Sequence, residues 1–250
     1  LMAHLVCLSR EDDFEGWREA ARALAGAGID PGDVVWQGGD GAQDLFAAAP
    51  APLPATLREL RVPRDFVALA RAAILHHEPQ RFALLYGALL RVCATPGLIR
   101  DRADRPLRRL ALMGQAVGRD MHKMRAFVRF RALEDDQGER YIAWFEPEHH
   151  ILRANAAFFV NRFANRRWSI LTPRGSLHWD GDALAEGPPA RRGDAPSGDP
   201  TEAIWHAYYA AIFNPARLMR HAMLKEMPRK YWHNMAETAL IPGLIAGAAI

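Results

Sequence analysis

The stretch "WSILTPRGSLHWDG", residues 168–181, decides much of the fold because it has the pattern of a β-hairpin. The residues before the turn alternate between two faces, which is the period of a strand. The turn itself, "TPRG" at 172–175, has proline in second place and glycine in fourth place, which is typical of a type I turn. "SLHW" then returns as the partner strand. The sequence therefore predicts a hairpin over residues 167–180.

The residues before this hairpin predict the rest of a small sheet and its helical neighbours. "RYIAWFEP", residues 140–147, alternates like a strand, and we expect it to join the hairpin in one short antiparallel sheet. Residues 155–166 predict a short aromatic helix. Residues 105–131 keep apolar side chains at a spacing near 3.5 residues, which predicts a long amphipathic helix.

The front of the chain predicts a β-α-β unit followed by helices. Residues 3–8 and 33–37 have strand character, and the helical pattern between them ends at Gly26-Ala27-Gly28. Two further amphipathic helices are predicted over 62–77 and 78–94. The fold class is therefore α+β: a small N-terminal β-α-β unit, a helical layer, a short antiparallel sheet with hairpin 167–180, and closing C-terminal helices.

Composition indicates two modules of opposite charge. Residues 46–57 are rich in alanine and proline, so we place a boundary there, between an acidic β-α-β module over 1–50 and a basic α+β domain over 57–250. Residues 1–60 contain four Arg and ten Asp or Glu, a net charge of −6, and the remaining residues have a net charge of +9. Residues 185–200 predict a flexible loop. The basic body indicates an anionic partner, unless the two parts simply attract each other.

The sequence excludes several function classes. It contains no run of eighteen apolar residues and no leader pattern, so we expect a cytoplasmic protein that does not contact a membrane. The motifs G-x-S-x-G, H-E-x-x-H and Walker A are all absent. We assign His76 and His77 to the end of a helix, where imidazole favours the negative end of the dipole. His149 and His150 would point to opposite faces of a strand, so no metal or cofactor is predicted.

Basic and aromatic residues occur together in three regions of the chain, around residues 123–131, 162–179 and 217–232. Arg and Lys bind phosphates, and flat rings stack on exposed bases. The alternative is that arginine covers solvated helix faces and tryptophan fills the core. The candidate nucleic-acid-binding residues are Lys123, Arg125, Arg129, Arg166, Arg167, Trp168, Arg174, Trp179, Lys225, Arg229, Lys230 and Trp232.

Several long motifs resemble those of one bacterial domain family of unknown function. They include "DMHKMRAFVRFR", "YIAWFEPEHHILR", "FFVNRFANRRWSILTPRGSLHWDG" and "EMPRKYWHN", and the resemblance extends over nearly the whole chain. Members of that family are described as DNA metabolism or DNA repair proteins. Some are fused to a uracil-DNA-glycosylase-like protein, and others are paired with a radical-SAM protein assigned to DNA repair. The resemblance implies a stand-alone domain that acts in DNA repair, and it supplies no catalytic residues.

Three functional hypotheses follow from these observations. The first is a DNA-binding accessory factor that works with a uracil-DNA-glycosylase-like or radical-SAM partner. The second is an enzyme acting on DNA or a nucleotide, with His122, His178 and Asp180 in its pocket. Asp180 beside Trp179 is either a carboxylate of raised pKa or, as we favour, the cap of the hairpin turn. The third is a scaffold that docks a repair enzyme without touching DNA.

Overall fold

The computed structural model describes residues 4–39, 60–195, 229–234 and 238. Contacts divide the chain into two units. Unit 1 comprises Leu1–Met121 with Glu148–Ile151, and unit 2 comprises His122–Pro147 with Leu152–Ile250. Over the described ranges, five α-helices accompany a two-stranded and a five-stranded sheet, which confirms the predicted α+β class.

Unit 1 begins with the predicted β-α-β arrangement. Strand β1, His4–Leu8, pairs in parallel with β2, Val34–Gly38, and helix α1, Phe14–Gly26, connects them. Gly28 follows the helix with a φ of +72°. This is the left-handed conformation that glycine adopts without steric cost, and it ends the helix where the sequence predicted.

The two helices predicted after this unit are also confirmed. They are α2, Arg64–Ala73, and α3, Arg81–Ala94. Their apolar faces pack on α1 and on the first turns of α4, Arg105–Phe127. The largest fully or nearly fully buried side chains of this core are Trp17, Leu24, Phe66, Ile74, Phe82, Leu85, Tyr86 and Leu110.

Helix α4 is shorter than the predicted helix over 105–131. It ends at Phe127, and Phe130–Asp135 forms strand β3. The guanidinium of Arg129 donates to the carbonyl of Ala126 at 2.8 Å, which satisfies one of the last carbonyls of the helix. Phe127 and Val128 are both buried, so apolar residues continue past the last residue of the helix. The apolar pattern alone therefore did not show where the helix ends.

Unit 2 is built on a five-stranded sheet of order β3-β4-β5-β6-β7. Strand β4 is Gly138–Trp144, and the predicted hairpin is confirmed as β5, Arg167–Thr172, and β6, Gly175–Trp179. The predicted strand joins the hairpin in one sheet whose other strand pairs are antiparallel, which confirms that part of the prediction. The pairing of β4 with β5 departs from it, because these two strands are parallel. Helix α5, Leu152–Arg162, lies between these two strands in the chain and supplies the crossover that a parallel pair requires.

The predicted flexible loop over 185–200 is wrong in its first residues. Strand β7, Leu184–Gly187, pairs antiparallel with β6 and forms an edge of the sheet. Pairing provides the order that the composition does not indicate, because the backbone of β7 hydrogen-bonds to β6, the strand before it in the chain.

Several predicted features lie outside the described residues. These are the boundary segment 46–57, the end of the loop at 196–200, and the helices predicted over 201–227, including Lys225. A short 3-10 helix, Arg229–Asn234, is described, and the ring of its Tyr231 stacks on Phe145 with centroids 5.7 Å apart. In the part of the chain that the structure describes, no helix is long and apolar enough to cross a membrane.

One arginine in unit 1 is buried almost completely. Arg81 is 1% exposed, and its guanidinium donates to the carbonyls of Ile74, Glu78 and Glu11 at 2.7, 3.0 and 2.6 Å. It also pairs with the Glu11 carboxylate at 2.5 Å and lies over the Phe82 ring. The guanidinium therefore joins the start of α1 to the turn between α2 and α3.

We expect Arg81→Met to lower the free energy of unfolding by about 3 kcal/mol. Three backbone carbonyls lose their donor, and each unsatisfied buried polar group costs about 1–3 kcal/mol. Urea denaturation followed by circular dichroism measures the change. The matched control is Arg71→Met, which removes an exposed pair with Glu15 and should cost less than about 1 kcal/mol. Equal losses in the two variants would contradict the role given to Arg81.

Candidate nucleic-acid interface

The tryptophans that were predicted to stack on bases differ in burial, although Trp168 and Trp179 lie opposite each other on β5 and β6. Trp168 is 1% exposed and lies among the rings of Phe130 and Phe159, with centroids 6.1 and 6.2 Å away. It is a core residue and does not present a ring face to a ligand. Trp179 is partly buried, and its indole N–H donates to the carbonyl of Ala164 at 3.0 Å. Trp232 is also partly buried, and the Arg229 guanidinium lies 5.7 Å from its ring centroid.

Arg166 and Arg167, at the start of the hairpin, are both engaged within unit 2. Arg167 forms two parallel hydrogen bonds with the Asp135 carboxylate, at 2.9 and 2.8 Å. These bonds raise the pKa of Arg167 and lower that of Asp135. The Arg166 guanidinium lies over the ring of Tyr141, contacts its hydroxyl, and pairs with Glu139 at 3.6 Å. Charge reversal at Arg167 would therefore break an internal ion pair as well as change the surface.

The other predicted cations of the first two clusters are distributed around α4 and the hairpin turn. Arg125 donates to the side chain of Asn155 at 2.7 Å, and the Lys123 ammonium lies 5.5 Å from the Phe127 ring. Arg129 caps the end of α4. Arg174 occupies the exposed hairpin turn. Lys230 lies in the short helix Arg229–Asn234. These residues do not form one continuous cluster in the described contacts.

A different set of cations shares one side of the five-stranded sheet. Residues paired across neighbouring strands lie on the same face, and side chains two apart in a strand do so too. The register pairs Arg140 with Arg167, Ile142 with both Arg131 and Ser169, and Ser169 with His178. Trp168 points to the opposite side, where Phe159 of α5 packs. We call the side opposite α5 the basic face; its polar residues are Arg131, Asp135, Arg140, Arg167, Ser169, Ser176 and His178.

A hydrogen-bond network lies at the centre of the basic face. The two ring nitrogens of His178 are held by serine hydroxyls, with Nδ1 2.7 Å from Ser169 Oγ and Nε2 2.9 Å from Ser176 Oγ. Arg140 donates to Ser169 Oγ at 2.6 Å and lies 3.4 Å from His178 Nδ1. These described partners of Arg140 are neutral, so its charge is not balanced by a direct ion pair among them.

The glycine at 187 is required by this network. A Cβ at Gly187 would overlap the Ser176 hydroxyl and lie 2.8 Å from His178 Nε2. The Ser176 hydroxyl also donates to the carbonyl of Pro188 at 3.1 Å. The edge strand β7 can approach the His178 ring this closely only because residue 187 has no side chain.

Burial and charge both favour the neutral form of His178. Burial lowers the pKa of His178 below its ordinary value of 6.5, and the Arg140 guanidinium lowers it further. Arg192, which follows β7, has a lowered pKa because it is partly buried and because Arg131 lies near it, while Glu146 acts in the opposite direction. Cations are thus crowded on this side of unit 2, which favours the approach of an anion.

Asp180 caps a turn, but it is the turn between β6 and β7 and not the predicted hairpin turn at 172–175. A raised pKa for its carboxyl group is contradicted. Its carboxylate accepts the backbone N–H groups of Asp182 and Ala183 at 2.8 and 2.7 Å. These hydrogen bonds lower the pKa of Asp180. Among the described hydrogen bonds and ion pairs, none connects Asp180 with His178. His122 is exposed on α4 and is not connected to either of them by these contacts.

Arg140 is the site residue that the sequence prediction missed. The alternation of "GERYIAW" in β4 places Arg140 on the same face as Ile142 and Trp144. That signal was present, but it does not say which strand lies alongside. Only the parallel pairing of β4 with β5 brings Arg140 next to Ser169 and His178.

Comparison with known protein families identifies the chain at the level of a domain family. Its residues 79–237 match the family described as a domain of unknown function, DUF4130. Because this match extends over more than half of the chain, the protein belongs to that family. Neither the curated proteins nor the solved structures include a significant match.

We expect the His178 ring to titrate below its ordinary pKa of 6.5. Arg140→Gln should raise the midpoint of this titration but leave it below 6.5, because burial lowers the pKa more than Arg140 does. Since the folded protein then binds fewer protons than the unfolded chain, His178 favours folding above about pH 6.5. This contribution is lost as the pH falls from 6.5 towards the folded pKa. NMR titration of the ring, assigned with His178→Gln, measures the midpoint. Arg71→Gln should leave it unchanged, and a midpoint above 6.5 would contradict the proposed environment.

Gly187→Ala should disrupt the network around His178 and lower the free energy of unfolding by about 1–3 kcal/mol. The new methyl group displaces the Ser176 hydroxyl, so buried polar atoms lose their hydrogen bonds. Gly193→Ala is the control, because a Cβ there meets no atom within 4 Å. Thermal denaturation of both variants, with His178 NMR shifts, tests the expectation. Indistinguishable behaviour of the two variants would refute the close approach of β7.

Proposed function

We propose that this protein is a DNA-binding accessory factor and that the basic face of its five-stranded sheet holds the phosphate backbone. The observation that carries the proposal is Arg140, held by Ser169 and His178 on a face that also presents Arg131 and Arg167. A guanidinium positioned by neutral groups keeps its charge for an external anion. Phosphate oxygens are the ligands that the rigid fork of an arginine binds most specifically.

The position of the cations favours recognition of the backbone over recognition of bases. Arg140 and Arg167 lie on adjacent strands, which are separated by about 4.8 Å. Trp168 is buried on the other side of the sheet, so its ring does not support recognition of bases by stacking. We therefore expect strong dependence on salt and weak dependence on base sequence.

The choice of DNA as the anion is supported by the resemblance to proteins described as acting in DNA repair. The same resemblance supports a uracil-DNA-glycosylase-like or radical-SAM protein as the partner. In this proposal the protein holds DNA while the partner performs the chemistry. If the protein does not bind DNA, the result would favour the third hypothesis, a docking scaffold without DNA contact.

An enzymatic role is the second candidate, and a specific arrangement favours it. Ser169, His178 and Arg140 form a continuous hydrogen-bonded chain, which resembles an activated hydroxyl beside a cation. Against this, Ser169 is 1% exposed, so its hydroxyl is not accessible to a substrate in this conformation. The arrangement is better suited to orienting Arg140 than to nucleophilic attack.

The double variant Arg131→Gln/Arg140→Gln should bind DNA at least tenfold more weakly than wild type at low salt. Fluorescence anisotropy with single-stranded, duplex and uracil-containing oligonucleotides over a salt series measures this. If both side chains contact phosphates of a single strand, the slope of log K against log salt should fall by about 1.4.

The matched control is Arg18→Gln/Arg71→Gln, which removes two cations that pair with Glu15 in unit 1. Both double variants change the net charge equally, so a local site is distinguished from a general charge effect. Equal affinities of the two double variants would overturn the basic face as the binding surface. Cleavage or modification of the DNA by wild type would favour the enzymatic role instead.

A further inference from the structure

Four histidines of unit 1 lie in two adjacent pairs that the fold brings together. His76 and His77 follow the end of α2, and His149 and His150 lie in the segment Glu148–Ile151. The backbone N–H of His150 donates to the carbonyl of Leu75 at 2.8 Å, which joins the two segments directly.

A buried carboxylate fixes the second segment. Asp120 of α4 is 3% exposed, and it accepts the backbone N–H of His149 at 2.9 Å. His149 is itself 2% exposed. The position of its imidazole is therefore set by packing and by backbone hydrogen bonds, which is the preorganisation that a ligand site requires.

The imidazoles of His76, His77 and His149 form a compact cluster. One ligand nitrogen from each ring lies within 4.8 Å of the others, and the Nδ1 atoms of His77 and His149 are 3.0 Å apart. Around a tetrahedral zinc ion with Zn–N bonds of about 2.0–2.1 Å, nitrogen ligands lie about 3.4 Å apart. The planes of the three rings are inclined to one another by only 26°, 32° and 9°, so a shared metal ion requires the rings to turn until their in-plane lone pairs converge.

Backbone hydrogen bonds define the tautomers of two of these rings. His76 Nδ1 lies 3.1 Å from the backbone N–H of Glu78, and His149 Nδ1 lies 3.4 Å from the backbone N–H of His77. A backbone N–H group only donates, so both Nδ1 atoms are unprotonated and use their lone pairs as hydrogen-bond acceptors. A metal ion bound at these atoms would replace the N–H groups as the partner of those lone pairs.

We propose that His76, His77 and His149 bind one divalent transition-metal ion, with zinc as the best match. Imidazole ligands suit zinc, and three protein ligands leave a fourth coordination position open to water or a substrate oxygen. With His149 Nδ1 unprotonated, the 3.0 Å contact requires His77 Nδ1 to carry the proton. For His77 Nδ1 to bind the metal, that proton must move to Nε2 of the same ring, which changes the tautomer and releases no proton.

Charges of both signs surround the cluster. Glu78, which pairs with Arg109, and Glu148 act on His76 in the direction that favours a cation, whereas the buried Arg81 acts against it. Asp120 adds a buried carboxylate behind His149. His149 lies within the segment matched to the family, whereas His76 and His77 precede it. The proposed site is therefore a property of unit 1 of this chain, and it does not depend on the proposed DNA binding.

The test uses the full chain after removal of metal by a chelator, titrated with zinc in competition with a chromophoric chelator. We expect wild type to bind one zinc ion per chain, and His77→Ala to bind it at least tenfold more weakly. His77 is the exposed member of the cluster, so this substitution leaves the buried packing in place. The matched control is His4→Ala, which removes a histidine of β1 outside the cluster and should retain the wild-type affinity.

X-ray absorption of the zinc-loaded wild type provides a second measurement that does not depend on variants. Three imidazole ligands and one or two oxygen ligands would support the site. Zinc bound as tightly by His77→Ala as by His4→Ala would overturn the proposal. Weak binding without a fixed stoichiometry in wild type, or a spectrum with fewer than two imidazoles, would also overturn it.

Discussion

The buried guanidinium of Arg81 is the interaction on which the histidine cluster of unit 1 depends for its backbone path. It binds the carbonyls of Ile74 and Glu78, which flank His76 and His77, and it also binds the backbone and side chain of Glu11. Removing such a charge from water is costly, and the cost is offset only when most of its donors are satisfied. That requirement fixes the path of the backbone between α2 and α3, and with it the position of two histidines.

In unit 2 the alternation of side chains between the two faces of the sheet determines which residues lie together. Helix α5 and the rings of Phe130, Phe159 and Trp168 fill one side. The polar residues must then occupy the other side, since neighbouring residues in a strand point in opposite directions. The basic face is thus a consequence of burying the aromatic face. Its particular chemistry comes from the register, which places Ser169 opposite His178 and beside Arg140.

Local patterns predicted the elements more reliably than they predicted the partners of those elements. The hairpin, the β-α-β unit and helices α2 and α3 follow from periodicity and turn residues within a few positions of each other. The direction of pairing between β4 and β5 was wrong because it depends on how the intervening helix crosses the sheet. The strand at Leu184–Gly187 was missed because its order comes from pairing with β6, and its own residues have little strand character.

The sequence by itself determined the α+β class, the hairpin around Pro173-Arg174, and an excess of positive charge after residue 60. These properties reside in composition and in short-range spacing, which do not change when the chain folds. Only the tertiary structure decided that Trp168 is core and that His76, His77 and His149 form one cluster. The physical reason is distance along the chain: His77 and His149 are separated by 72 residues, and no periodic pattern extends that far.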